Sequence, residues 1–160
     1  MKKVLAKRES KPVLRVKLGA YDQKVNVFIS WRPKTHQIVV TLEDSLDAVP
    51  TKRHLRQVRK AHGKGPQELL WDGTGAHLEA SVRHHGIKAG IHFHRFPTHS
   101  PKMNPVEQIN KHLKEFLSLR IFATREDLVA AITQFFRDHH YKFTFDLTSF
   151  IGPQPITGDA

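Results

Sequence analysis

Three early stretches of the chain, residues 12 to 18 (PVLRVKL), 24 to 31 (KVNVFISW) and 36 to 42 (HQIVVTL), carry Val, Ile, Leu and Phe in partial alternation with polar residues. A period near two in such segments predicts β-strands, and the RPKT between the last two predicts a hairpin turn. The period then lengthens. Residues 51 to 62, TKRHLRQVRKAH, suit a helix with a thin apolar side, Leu55 and Val58, and a strongly basic opposite side. Gly63, Gly65 and Pro66 end it, and QELLW, residues 67 to 71, follows as a short strand whose unbroken apolar centre predicts burial on both faces. Residues 78 to 85 read as helix and IHFHRF, 91 to 96, as another strand.

After the loop PTHSPKM the pattern becomes helical twice. Over about 105 to 118, Val106, Ile109, Leu113, Phe116 and Leu117 share one side; over about 125 to 138, Leu128, Ala131, Ile132, Phe135 and Phe136 do the same. Thr124 with Asp127 three residues on forms a capping-box pattern at the start of the second. Beyond Tyr141 a brief alternation gives way to a Pro- and Gly-containing end, so the expected division is a domain over 1–142 and a tail over 143–160. Strands first, then strand and helix in turn, predict an α/β or α+β domain.

Composition narrows the function. The 160 residues suffice for one domain with a substantial core. Cysteine is absent, which excludes disulfides and thiolate metal sites and suits a reducing cytoplasm. No apolar run has the length of a membrane helix, and the opening MKKVLAKRESK has charge without the apolar stretch of a signal peptide, so a soluble, cytoplasmic protein is expected. The 26 Lys and Arg against 15 Asp and Glu leave a formal charge of +11, with 12 histidines besides. Such a surplus draws a chain toward polyanions, above all nucleic acid.

Against that basic background two acids stand out. Asp72 ends the apolar strand LLW, where sites form beyond the carboxyl ends of strands, and Gly73 and Gly75 then allow a sharp turn. Glu107 lies 35 positions on (72 to 107), at the start of a helix, in SPKMNPVEQ. Each has an ordinary reading. Asp-Gly is a strong turn dipeptide, and Asn104, Pro105 and Glu107 are what a well-started helix shows, with Lys111 four residues after Glu107 as a helix pair. Taken together, two carboxylates in a basic chain are also the material with which proteins hold Mg²⁺ beside phosphates.

WDGTGAH (71 to 77) and PTHSPKMNPVEQINKHLK (97 to 114) resemble the second and third acidic motifs of DDE transposases, in the bacterial insertion-sequence branch of the mariner-like superfamily. The similarity extends from about residue 6 to 143: KVNVFISWRPKTHQ resembles the family's second strand, turn and third strand, and ATREDLVAAITQFF its closing helix. The resemblance implies a ribonuclease H-like (retroviral-integrase-like) α/β fold, a mixed sheet flanked by helices. It implies DNA as substrate, and strand cleavage and joining by a metal-activated hydroxyl. Asp72 and Glu107 would be catalytic and metal ligands, for Mg²⁺ or Mn²⁺, two ions in a complete site. His77, Lys102 and Asn104 would lie near the DNA or brace the site. Lys52, Arg53, Arg56, Arg59 and Lys60, with Lys111 and Lys114, would meet phosphates by charge.

The chain also departs from the pattern. The family's first strand, which carries another aspartate, falls before the region matching residues 6 to 18, so the sequence reads as an N-terminally truncated member. Asp22 is placed in a turn, YDQ, and Asp44 and Asp47 in a loop. Asn110 stands where the family usually has tryptophan. The expectation is an incomplete or inactive fragment, with part of residues 2 to 18 or a second chain filling the missing strand. Its implied partner besides DNA is a second copy or an upstream-encoded transposase fragment. Two other readings compete. One is a non-catalytic nucleic-acid-binding protein. The other is a histidine-based metal protein built on His92, His94 and His99 or the pairs His84–His85 and His139–His140, which no acidic or thiolate set accompanies at recognised spacing.

Overall fold

A computed structural model describes residues 13–18, 21–72, 79–97 and 104–145. The elements follow in the order β1 (Val13–Leu18), β2 (Tyr21–Trp31), β3 (Ile38–Glu43), α1 (Ala48–His62), β4 (Gln67–Trp71), α2 (Ala80–Lys88), β5 (Ile91–Arg95), α3 (Pro105–Ser118) and α4 (Arg125–Asp138). This is a mixed α/β arrangement of small sheets and four helices.

Among the described residues the strands form two sheets, β1-β2-β3 and β4-β5. The first is antiparallel and staggered. β1 pairs with residues 21 to 26 of β2, from Leu18 opposite Tyr21 to Val13 opposite Asn26, while β3 pairs with 26 to 31, from Glu43 opposite Asn26 to Ile38 opposite Trp31. Asn26 is the residue both neighbours share. Asp22 lies inside β2 opposite Lys17, not in a turn, because the strand starts three residues earlier than alternation alone indicates. In the second sheet β4 and β5 run parallel, Gln67 opposite Ile91 through Trp71 opposite Arg95. A crossover helix is what a parallel pair needs, and α2 supplies it.

Helices cover β2 on both sides. Val25 and Val27 pack with Ile109 and Leu113 of α3 and Leu128, Ile132 and Phe135 of α4. From the alternate positions, Phe28 packs its ring 5.5 Å from that of His54 on α1, and Ser30 hydrogen-bonds the same histidine. A smaller core joins Leu55 of α1, Trp71 of β4, Val82 of α2 and Ile91 of β5.

The helix ends have local causes. α1 begins at Ala48, three residues before the expected start, because Pro50 falls in the first turn, where a backbone N–H would lack an intrahelical partner anyway. It stops at Gly63, whose φ of 75° suits glycine. α4 starts on a complete capping box between Thr124 and Asp127, as the sequence predicts. α2 runs to Lys88, not 85, since Gly86 is an interior position pressed against Phe93. β4 is less enclosed than its apolar run predicts: only Trp71 is buried, and the other four residues are half-buried. Its sheet has just two strands among the described residues, which leaves one edge of β4 without a strand.

Residues 141 to 145 pack back on the first core. Tyr141 is buried, and Phe143 and Phe145 set their rings edge-on to Trp31, 5.3 and 6.4 Å away. Among the described residues no helix is long and apolar enough to cross a membrane.

Candidate functional site

β4 ends at Trp71, fixed by a stacked contact with Phe93 at 4.3 Å, and delivers Asp72 to the sheet's carboxyl edge. α3 begins 33 positions later, from Asp72 to Pro105, and its start is set by Asn104, whose Oδ1 accepts from the Val106 N–H at 3.0 Å. With Pro105 at the first helical position, the cap is provided by Asn104. Glu107 lines a cavity of about 170 Å³ that Asp72 also lines, together with Asn104, Val106 and Asn110. The two acids are thus brought to one place.

Their electrostatics follow from that placement. Glu107 is exposed as a residue, yet its carboxyl is desolvated enough to lift its pKa above the ordinary glutamate value. Lys114, two turns along α3, pulls the other way, and the negative charge of Asp72 adds to the rise. The expected pairing of Glu107 with Lys111 is replaced by one between Lys111 and Glu115, 3.9 Å apart and exposed. Lys114 is therefore the α3 cation that acts on Glu107.

The remaining candidates that fall among the described residues lie mainly on α1. His77 and Lys102 lie outside the described residues. On α1, Lys52 and Arg56 both depress the pKa of His85 on α2, after burial, the largest cause, so their charges gather over the α1–α2 side. Arg53 is engaged with the buried Glu43 at 2.7 Å, and Arg59 donates to the carbonyl of Gly65. Both make structural contacts besides carrying charge. Lys60 is exposed. The cavity itself meets a different face of α1, that of Thr51, His54 and Leu55.

Three polar groups in or beside the cavity were not among the candidate site residues read from the sequence. His54, 6% exposed, bonds the Ser30 hydroxyl through Nε2 at 2.8 Å and the Thr41 hydroxyl through Nδ1 at 2.9 Å, tying α1 to β2 and β3. Glu68 on β4 sits between His92 and His94 of β5, bonded to the first at 3.1 Å and the second at 2.5 Å. Burial acts to raise the Glu68 pKa, but hydrogen bonds from His94 and His92 outweigh it, and the carboxyl stays below its ordinary value. One acid thus accompanies those histidines in space, although no acidic set does so at a recognised sequence spacing. Parallel pairing set Glu68 opposite His92, a register not visible in either segment alone. Asn110 is the third: it is 4% exposed, and its Oδ1 has no hydrogen-bond partner among the described residues.

Among the described residues no group of three or more His, Asp or Glu side chains is placed to hold a metal ion. Asp72 and Glu107 provide two hard oxygen donors of the kind Mg²⁺ takes, and the like-charge repulsion between them is what a divalent cation would relieve. The donor set fits such an ion in part.

A structural comparison finds the chain similar to one in an assembly described as the cryoEM structure of a simian T-cell lymphotropic virus intasome in complex with PP2A regulatory subunit B56 gamma. The TM-score is 0.58 at 14% identity, over 91% of this chain and 54% of that one. The likeness is one of fold, to an integrase-type, ribonuclease H-like domain, and this chain spans about half the length of that relative. A comparison with curated proteins returns no match. The family model described as DDE superfamily endonuclease matches residues 3–129, most of the sequence and both motifs around the acidic pair. The chain belongs to the DDE superfamily endonucleases.

Proposed function

We propose that this chain is the metal- and DNA-binding part of a transposase, of the insertion-sequence, mariner-like kind, and that Asp72 and Glu107 are two of its metal ligands. The observation that carries the reading is their meeting in one cavity, from a strand end and a helix start far apart in sequence. A bound divalent ion at such a pair would lower the pKa of coordinated water and offset phosphate charge. Asp72 and Glu107 would hold the ion, Asn104 would brace the start of α3, and Lys114 would moderate the charge on Glu107. Lys52, Arg56 and Lys60 would meet the DNA backbone, with Lys111 midway along α3. The described residues supply no third carboxylate to this cavity free of other bonds, since Glu68 is held by His92 and His94. The chain alone is accordingly expected to cleave DNA weakly or not at all.

Calorimetric titration with Mn²⁺ tests the ligand assignment. Asp72→Asn and Glu107→Gln should each weaken binding by at least about tenfold, in keeping with the loss of one of few charged ligands. Unchanged affinity in both variants would remove these residues from the metal site. A second reading, nucleic-acid binding without catalysis, is favoured by the lack of a third unbonded carboxylate among the described residues of the cavity. It predicts DNA affinity that falls steeply with salt and ignores both Mg²⁺ and Glu107→Gln.

A further inference from the structure

The cations of the helices are divided unequally between the two sides of β2. α1 and α2 together carry seven Lys and Arg and no Asp or Glu, whereas α3 and α4, on the other side of β2 from α1, carry four against five. Like charges gathered on one layer repel each other, and a bound polyanion relieves that repulsion. Two of the seven are already engaged, Arg53 with Glu43 and Arg59 with the Gly65 carbonyl. Lys52 and Arg56 are not: one turn apart on α1, they have no ion-pair or hydrogen-bond partner among the described residues. Lys60, Arg83 and Lys88 are exposed on the same two helices and extend the positive surface.

His85 of α2 is the independent sign. Its Nε2 is closed to solvent and has no hydrogen-bond partner among the described residues, a state that a ligand oxygen would relieve. Burial and then the charges of Arg56 and Lys52 hold its pKa below the ordinary histidine value, and no acid among the described residues opposes them. Glu79, just before α2, accepts from the Ser81 hydroxyl. β5 packs on α2 through Ile91 and Phe93, while His92 and His94 at the alternate positions face Glu68. His84 and Arg83, beside it in sequence, are exposed.

We infer that Lys52, Arg56 and Nε2 of His85 form a phosphate site, which takes up one proton from solvent with each phosphate it binds. Lys52 and Arg56, on long flexible stems, part to admit the anion and close on its charged oxygens, while the protonated ring donates to another oxygen from Nε2. The anion reverses the charge around the ring, and this is the source of the linkage. Thr51, His54 and Leu55, which meet the cavity of the acidic pair, are on a different face of α1, so the site binds its ligand without metal. Resting on the proposed function, the phosphate belongs to the backbone of duplex DNA. Lys60, Arg83 and Lys88 around the site suit a ligand whose phosphates repeat.

The test uses the full chain in EDTA with two probes, a short DNA duplex of arbitrary sequence and inorganic phosphate. Duplex phosphodiesters do not titrate near neutrality, so calorimetry in buffers of different ionisation heat counts the protons taken up by the protein. Affinity for the duplex should rise as the pH falls from about 7.5 to 5.5, and His85→Gln should remove about one proton from the uptake. Lys52→Gln and Arg56→Gln should each lower the slope of log affinity against log salt by about one, whereas Arg137→Gln on α4 should not. Both probes should shift the ring resonances of His85. An unchanged proton count in His85→Gln, or salt slopes in Lys52→Gln and Arg56→Gln no lower than in Arg137→Gln, would overturn the site. A ring shift with inorganic phosphate and none with duplex would overturn DNA as the ligand and leave a site for free phosphate. The metal assignment is read separately. If Asp72→Asn and Glu107→Gln bind Mn²⁺ as the parent does while duplex still brings the proton to His85, the acidic-pair reading fails and this site stands.

Discussion

Glu107 holds its proton more tightly than a solvated glutamate does, and the sign of the effect on stability follows directly. Its folded-state pKa is raised, so its favourable contribution is complete below the unfolded value and is lost as pH rises through the folded one. Glu107→Gln removes that loss. Thermal unfolding without metal should show the variant more stable than the parent at neutral pH, with the gap closing as the pH falls below the ordinary value of 4.5. A variant less stable at neutral pH would mean that Lys114 outweighs burial and Asp72. His54 offers the opposite case, a residue whose value is structural. Its two hydroxyl partners on neighbouring strands make His54→Ala costly, about 2–4 kcal/mol by urea unfolding, from lost bonds and an unfilled space. Asp72 and Glu107 were legible because a strand end and a helix start announce themselves locally. His54 was not, since nothing in TKRHLRQ says that a helix will lay that ring against Ser30 and Thr41.

Elements with strong periodicity and caps were legible almost to the residue. α3 and α4 run over 105–118 and 125–138 as their patterns require, because Asn104 with Pro105 and Thr124 with Asp127 fix both starts. α2 was harder to bound. Its glycine at 86 discourages helix by intrinsic propensity, yet the helix continues because a close approach to β5 needs that position bare. A Cβ there would fall 2.1 Å from the tip of the Phe93 ring. Gly86→Ala, normally a gain of about 1 kcal/mol in a helix interior, should therefore destabilise by about 1–3 kcal/mol. The ring cannot yield freely, because its other neighbour is Trp71, immediately before Asp72. Chemical denaturation gives the sign, and a gain in stability would show that Phe93 moves aside.

At the scale of the molecule, the order of strands and helices was legible, whereas the partition into two sheets among the described residues was not. Pairing depends on which edges meet, and alternation along one strand specifies its faces only. The formal charge of +11 likewise predicts a polyanion partner without locating the contact, and Arg53 and Arg59 show that a basic helix commits part of its charge to contacts with its own chain.

The separation of the two sheets among the described residues has a thermodynamic consequence. One core gathers β2, α3 and α4, the other β4, β5 and α2 around Leu55 of α1, and among the described residues no ladder of backbone bonds joins them. The smaller unit should open by itself, at a lower free energy than global unfolding, as sub-global cooperative units do. Native-state hydrogen exchange in low denaturant should show the amides of 67–71 and 91–95 merging into one early isotherm, with those of Leu113 and Ile132 following later. A single shared isotherm would mean that α1 alone couples the halves. In the first case, anything that spans both units confers cooperativity as well as affinity, so assembly and rigidity would arrive in the same event.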